Sequence, residues 1–281
     1  MELNSVDVGN IRKIKKVAVL GCGAIGSRIA RSIKNELQPV CSLSGLYDID
    51  TSKSAQLEQS ISQDNLVKES FPALLQDCDI LVEAINSDTR NFIQQALESR
   101  KNVLTMSVGK LLNAEDLFAL SLKNGCAILI PSGAVAGIDA VKSASLAPIK
   151  KITLTTRKPV SGFSQNRYIE DQGINLGAIT GETCIFEGSV DDAVRLFPRN
   201  INVAATLALA SHAKSKIVIR ILTSPEYTIN SHEIDIQGDF GHMVSRTENV
   251  ICPDNPKTSY LAVLSAIQTL KEFCSGVRIG T

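Results

Sequence analysis

One loop constrains the N-terminal half more than any other feature. Gly21-Cys22-Gly23-Ala24-Ile25-Gly26 follows the apolar run Lys16-Val17-Ala18-Val19-Leu20 without a gap, and Ile25, Ile29 and Ile33 then recur every fourth residue. Buried strand, glycine turn and amphipathic helix in that order open a βαβ unit. Gly21 permits the tight turn, Gly23 leaves the backbone bare for a pyrophosphate, and Gly26 lets the helix lie close to the strand. Ala24, Ile25 and Gly26 bring the first helical N–H groups to the same point, where the helix dipole favours phosphate. Asp48 lies 22 residues beyond Gly26 at the end of an expected strand, 43–47, where it meets a ribose. The implied ligand is a dinucleotide. The Asp48 charge repels a 2′-phosphate and tilts the choice toward NAD, although Lys53 softens that repulsion and NADP stays open.

Apolar strand runs at 79–84, 103–104 and 127–130 continue the alternation, with helical patterns after Ser87 or Asp88 and over 114–122. Near-continuous apolar strands suit a Rossmann-type parallel sheet covered on both faces. Beyond Pro131-Ser132-Gly133 the pattern changes. Stretches 152–156, 216–222, 232–237 and 242–246 read as strands, the last two forming a hairpin about Gly238-Asp239-Phe240-Gly241. A helix is predicted over 203–213, and 161–177, rich in Ser, Gln, Asn and Gly, reads as a mobile loop. The fold class is therefore α/β, with a second α+β domain built on a largely antiparallel sheet. We divide it into 1–133 for the dinucleotide, 134–254 for substrate and dimerisation, and 255–281, whose helical tail packs back on the first unit.

Composition narrows the partners. Twenty-nine basic residues balance 29 acidic ones, and aromatics are 4 % with no Trp, so neither a phosphate-tracking surface nor a base-stacking one is expected. No apolar run nears the roughly 20 residues of a membrane span, and residues 1–16 lack the apolar core of a secretory signal. Seven scattered cysteines without C-x-x-C spacing argue against a disulfide framework or a zinc site. These features predict a cytoplasmic protein with a small-molecule substrate and no metal.

Proton transfer near neutral pH is most simply done by histidine, and there are three: His212, His232 and His242. His212 closes the 203–213 helix, where a cation complements the dipole, and His242 follows the hairpin turn and faces solvent. His232 opens a strand from which it projects into a cleft.

Several segments together resemble the L-aspartate dehydrogenase family. They are residues 17–26, Ser132-Gly133-Ala134-Val135-Ala136-Gly137-Ile138-Asp139-Ala140, Thr156-Arg157-Lys158-Pro159, and Phe197-Pro198-Arg199-Asn200-Ile201-Asn202-Val203-Ala204-Ala205. His232-Glu233-Ile234, Asn249-Val250 and Asn255-Pro256-Lys257-Thr258-Ser259 complete the set. The glycine motif is common to many dehydrogenases; the later segments are more specific. The resemblance implies a homodimer with a Rossmann unit and an α+β substrate unit. It matches His232 to the acid–base histidine, and Ala136 and Asn202 to contacts near the nicotinamide end of the dinucleotide. The implied reaction oxidises L-aspartate to iminosuccinate, which yields oxaloacetate and ammonia, and which feeds NAD biosynthesis when it passes to quinolinate.

A dianionic substrate needs donors. Lys257, Thr258 and Ser259 stand where a helix is expected to begin, so a cation, hydroxyls and helix N–H groups converge on a carboxylate, unless they merely cap the helix. Lys158 is a further candidate; Asp139 and Glu83 read as structural. Two alternatives stay open at this point. One is another Rossmann reductase, homoserine-dehydrogenase-like or dihydrodipicolinate-reductase-like; the other is a non-catalytic NAD-binding redox sensor.

Overall fold

The computed structural model describes residues 14–85, 89–164, 166–197, 202–253 and 255–280. In the first half β1 (Lys15–Leu20) leads through the glycine loop into α1 (Ala24–Asn35) and β2 (Cys41–Tyr47). Helices α2 (Thr51–Ile61) and α3 (Phe71–Gln76) precede β3 (Ile80–Glu83), α4 (Thr89–Glu98) and β4 (Asn102–Thr105). A short 3-10 turn, α5 (Glu115–Asn124) and β5 (Ile128–Leu129) close this half.

All pairings in this sheet are parallel, in the order β2-β1-β3-β4-β5. Period-2 alternation sends successive side chains to opposite faces. Val17 and Val19 join one core with Ile29 and Ile33 of α1, whereas Ala18 and Leu20 join another with Leu74, Ile93 and Leu97. Both faces are therefore dry, which is why the strands carry unbroken apolar runs. Register aligns Leu20 with Glu83 and Glu83 with Thr105, so the loops after β1, β3 and β4 emerge side by side at one edge.

Next come α6 (Ile138–Ala144), β6 (Ile149–Pro159), α7 (Arg167–Asp171), β7 (Thr183–Gly188), α8 (Val190–Leu196) and α9 (Asn202–Ser211). Strands β8 (Ile217–Ser224), β9 (Asn230–Gly238) and β10 (Gly241–Asn249) complete a second sheet of order β10-β9-β6-β8-β7. Only β6 and β8 run parallel; the other three pairings are antiparallel. One face carries Ile152, Leu154, Ile219, Ile221, Ile234 and Ile236 into a single core with α8 and α9. Finally β11 (Ile251–Cys252) pairs with β12 (Asn255–Ser259), and α10 (Tyr260–Ser275) inserts Val263, Ala266 and Leu270 into the α1 side of the first core.

Three local expectations change. Residues 161–177 are not an open loop: a 3-10 turn and α7 bury Phe163 and Ile169 in the second core, because two apolar anchors outweigh the polar composition around them. The helix expected from Thr258 begins at Tyr260, and Lys257, Thr258 and Ser259 lie in an extended strand before it. Strand β7 went unread because its alternation is short and ends at Gly188. The proposed caps Ser87 and Asp88 lie outside the described residues. Among the described residues no helix is long and apolar enough to cross a membrane. None holds a group of three or more potential metal ligands.

Candidate functional site

The glycine loop is built as tightly as its spacing requires. Gly21 has φ +95°, and a Cβ on it would stand 2.6 Å from the Ala84 carbonyl oxygen. A Cβ on Gly26 would fall on the Gly21 carbonyl oxygen, whereas one on Gly23 would meet nothing within 4 Å. Gly23 is the N-cap of α1, and no side chain caps the helix there. The arrangement is an open cradle with free helix N–H groups on its floor, which fits a pyrophosphate. The Asp48 carboxylate accepts from Cys22 N at 2.7 Å through Oδ2 and from Asp50 N at 2.9 Å through Oδ1. It is thereby fixed beside the loop, with lone pairs to spare for ribose hydroxyls.

Glu83 supports the adjoining loops. It is fully buried and accepts from Thr105 Oγ1, from Ser107 Oγ at 3.0 Å and from Ile85 N at 2.9 Å. Burial raises its carboxyl above the usual range, against the pull of those donors. Ser107 Oγ also lies 2.8 Å from Ile85 O, so its one proton is shared between the two oxygens and the loops after β3 and β4 are tied together. Asn202 extends the tie to the second half: its Nδ2 donates to Met106 O at 3.0 Å, and its Oδ1 accepts from Gly109 N at 3.1 Å. The segment before it, 198–201, lies outside the described residues.

His232 sits on β9 directly opposite Thr156 of β6, with Nδ1 3.0 Å from Thr156 Oγ1. Lys158 follows on the same face of β6, two residues along. Of the three histidines only His232 is buried, at 6 % exposure; His212 is exposed and His242 contacts Asp235 at the surface. Burial, and then the nearby Lys158 charge, push the His232 pKa from 6.5 down to about 3. Burial also brings Lys158 from 10.5 down to about 8. The imidazole is thus neutral at physiological pH, with Nδ1 engaged and Nε2 available to accept a proton.

This depression makes stability pH-dependent with a definite sign. Below pH 6.5 the unfolded chain binds a proton that the native state refuses, so stability falls as pH drops from 6.5 toward 3. Between pH 6.5 and 5 the loss attributable to this group is about 2 kcal/mol. Urea titrations at those two pH values should show a smaller loss in His232→Asn than in the parent. Equal losses would contradict the assignment.

Ala136 lies in the turn between β5 and α6, where its carbonyl accepts from Ser245 Oγ at 3.1 Å. Ala136 also borders a cavity of about 740 Å³ beside β5, lined by α6, α9 and α10, to which neither His232 nor the glycine loop contributes. Thr258 and Ser259 are half-buried at the end of β12, and the Lys257 side chain lies outside the described residues. No hydrogen bond from Ser259 caps α10. Thr156 is the part that residue-type reasoning undervalued, whereas Glu83, read as structural, holds the loops after β3 and β4. Thr156 was signalled by its even spacing from Lys158 on one strand face.

Residues 139–273 match the family described as aspartate dehydrogenase, C-terminal, and residues 21–131 match the homoserine dehydrogenase NAD-binding domain. An L-aspartate dehydrogenase of Methanosarcina barkeri is 43 % identical over 270 residues, 95 % of this chain and 99 % of that one. One of Methanococcus maripaludis is 38 % identical with the same coverage. The crystal structure of aspartate dehydrogenase from Thermotoga maritima superposes with a TM-score of 0.70 at 24 % identity, covering 95 % of this chain and 99 % of that one. A homoserine dehydrogenase from Thiobacillus denitrificans gives 0.60 at 14 % identity, over 92 % and 73 % of the two chains.

Proposed function

The chain belongs to the L-aspartate dehydrogenase family, and we propose from that premise how its own residues carry the reaction. The protein is a nicotinamide-dependent dehydrogenase that oxidises L-aspartate to iminosuccinate. The observation that carries the residue-level reading is the buried, neutral His232 oriented by Thr156.

We assign the pyrophosphate to the amides of Gly23, Ala24, Ile25 and Gly26, with Gly21, whose own amide donates to Tyr47 O at 2.8 Å, making the turn that bares them, and the adenosine ribose to Asp48. Ala136 and Asn202 border the nicotinamide end. When bound, the cofactor supplies the acceptor for the hydride that leaves Cα of aspartate. His232 donates Nδ1–H to Thr156 Oγ1 and takes a proton from the substrate α-ammonium at Nε2, which frees the nitrogen lone pair to form the C=N bond. The same imidazole then assists water addition to the imine, releasing ammonia and oxaloacetate. Lys158, Thr258 and Ser259, with Lys257, supply donors for the two carboxylates. Burial is the larger cause of the His232 depression and the Lys158 charge the smaller one; a carboxylate placed near Lys158 offsets that second part, so the base strengthens when substrate arrives.

We divide the chain at 133 and 254 into dinucleotide, substrate and return segments, and read it as a cytoplasmic homodimer. Buried thiols suit a reducing compartment: five of the seven cysteines are buried and none forms a disulfide. Iminosuccinate released intact would serve quinolinate formation and so pyridine-nucleotide synthesis.

The test crosses aspartate, homoserine and other amino acids with NAD and NADP. Aspartate-dependent reduction, and ammonia-dependent NADH oxidation with oxaloacetate, are expected. Activity confined to homoserine or aspartate semialdehyde would overturn the reading. In the same assay Asp48→Ser should move the NADP-to-NAD ratio of kcat/KM up by about 10-fold or more, since one charge-assisted hydrogen bond is worth roughly 1.5–3 kcal/mol. An unchanged ratio would remove Asp48 from the ribose.

A further inference from the structure

Strand β10 is the edge of the second sheet, and its odd-numbered side chains turn inward while the even ones face solvent. Three of those inward residues reach the turn between β5 and α6. Thr247 Oγ1 donates to Ala134 O at 2.9 Å, Asn249 Nδ2 donates to the same oxygen at 3.0 Å, and Ser245 Oγ donates to Ala136 O at 3.1 Å. Gly137 closes the turn at φ +83°, where a Cβ would press on Ser245 at 3.3 Å. Thr247 is at the same time the residue paired with His232 in the β9–β10 ladder.

Asn249 shows that this contact is not there for stability alone. Its side chain is buried at 3 % exposure, yet its Oδ1 has no hydrogen-bond partner among the described residues. A buried acceptor left over is destabilising, and an aliphatic side chain of similar size would avoid it. What the amide gains over leucine is the N–H that holds Ala134 O. The position favours the placement of the turn over the stability of the strand.

We propose that Thr247 and Asn249, helped by Ser245, are positioning residues that lock the Ala134–Gly137 turn in register with His232. Through them the wall beside the nicotinamide end and the proton-accepting imidazole are carried on one pair of strands. The proposal rests on the roles given above to Ala136 and His232. It adds that the relative placement of those two is set by β10 rather than by the loop itself. A displacement of about 1 Å in such an arrangement costs on the order of 100-fold in rate.

The test uses the full-length protein with Thr247→Val, Thr247→Ser and Asn249→Leu. Three quantities are measured: NADH affinity by fluorescence, turnover of aspartate and of α-deuterated aspartate, and the melting temperature. Thr247→Val and Asn249→Leu should lower kcat by about 10- to 100-fold. They should weaken NADH binding several-fold and raise the deuterium isotope effect as hydride transfer becomes slower. The pH dependence set by His232 should stay in place. Thr247→Ser, which keeps the hydroxyl, should restore both rate and affinity, and Asn249→Leu should melt no lower than the parent. Valine and leucine variants within twofold of the parent in kcat and NADH affinity would overturn the proposal. So would losses that follow the unfolded fraction alone. If the parent fails to oxidise aspartate, the functional reading fails, while the NADH titrations of the same variants still decide whether β10 positions the turn.

Discussion

His232→Ala is expected to lower kcat for aspartate by about 10²- to 10⁴-fold, the range for loss of a positioned acid–base group. NADH affinity should change little. The imidazole is seated on β9 against Thr156, and none of the glycine-loop contacts runs through it. Truncating a buried ring leaves a void and an unpaired Thr156 hydroxyl, so His232→Gln belongs beside the alanine variant. It fills most of the volume without restoring a base. Both proteins should bind NADH by fluorescence, melt cooperatively and turn over at the same low level. Turnover near that of the parent in either folded variant would remove His232 from the reaction. Thr156→Val offers a graded companion, expected to cost less because the imidazole remains and loses only the bond that orients Nδ1.

The two ends of this assembly were legible in the sequence to different degrees. The glycine loop could be read from physics: an apolar strand, a turn that needs glycine and a helix with period near four leave few other solutions. Each of its glycines stands where a side chain would either collide or fill the cradle. His232 was one of three histidines, and separating it from His212 and His242 needed either the family pattern or the burial that only the fold reveals. Sequence periodicity did not show that β6 and β9 would pair in a register setting Thr156 against His232, because pairing between strands 76 residues apart is not a local property. The segment 255–259 is instructive in the other direction. Its Pro-Lys-Thr-Ser composition suggested a helix start, but pairing with β11 keeps it extended and delays the helix to Tyr260. Local capping propensity of roughly 1 kcal/mol yields to strand pairing plus the burial of Cys252 beneath it.

Two glycine substitutions should separate folding from binding within the loop. Gly26→Ala places a Cβ on the Gly21 carbonyl oxygen, with Val19 Cγ1 only 3.2 Å away. The neighbour is backbone, so the collision is relieved only by parting α1 from the turn. Overpacking of this kind costs about 1–3 kcal/mol, and it also moves the helix N–H groups away from the phosphates. Lower melting temperature and a rise in the NADH dissociation constant on the order of 100-fold are expected together. Gly23→Ala differs in kind. Gly23 has φ −70°, which any residue adopts, and a Cβ there meets nothing within 4 Å. The free protein should therefore melt as the parent does, while the methyl group fills the space through which a pyrophosphate approaches the backbone. NADH binding should weaken by about 10-fold or more, at unchanged stability, if that space is worth more than 1.4 kcal/mol to the complex. Thermal melts and fluorescence titrations on the two proteins decide the matter. A Gly23→Ala variant that binds NADH like the parent would place the phosphates elsewhere, and a Gly26→Ala variant that neither melts lower nor binds more weakly would deny that the close approach of helix and turn matters at all.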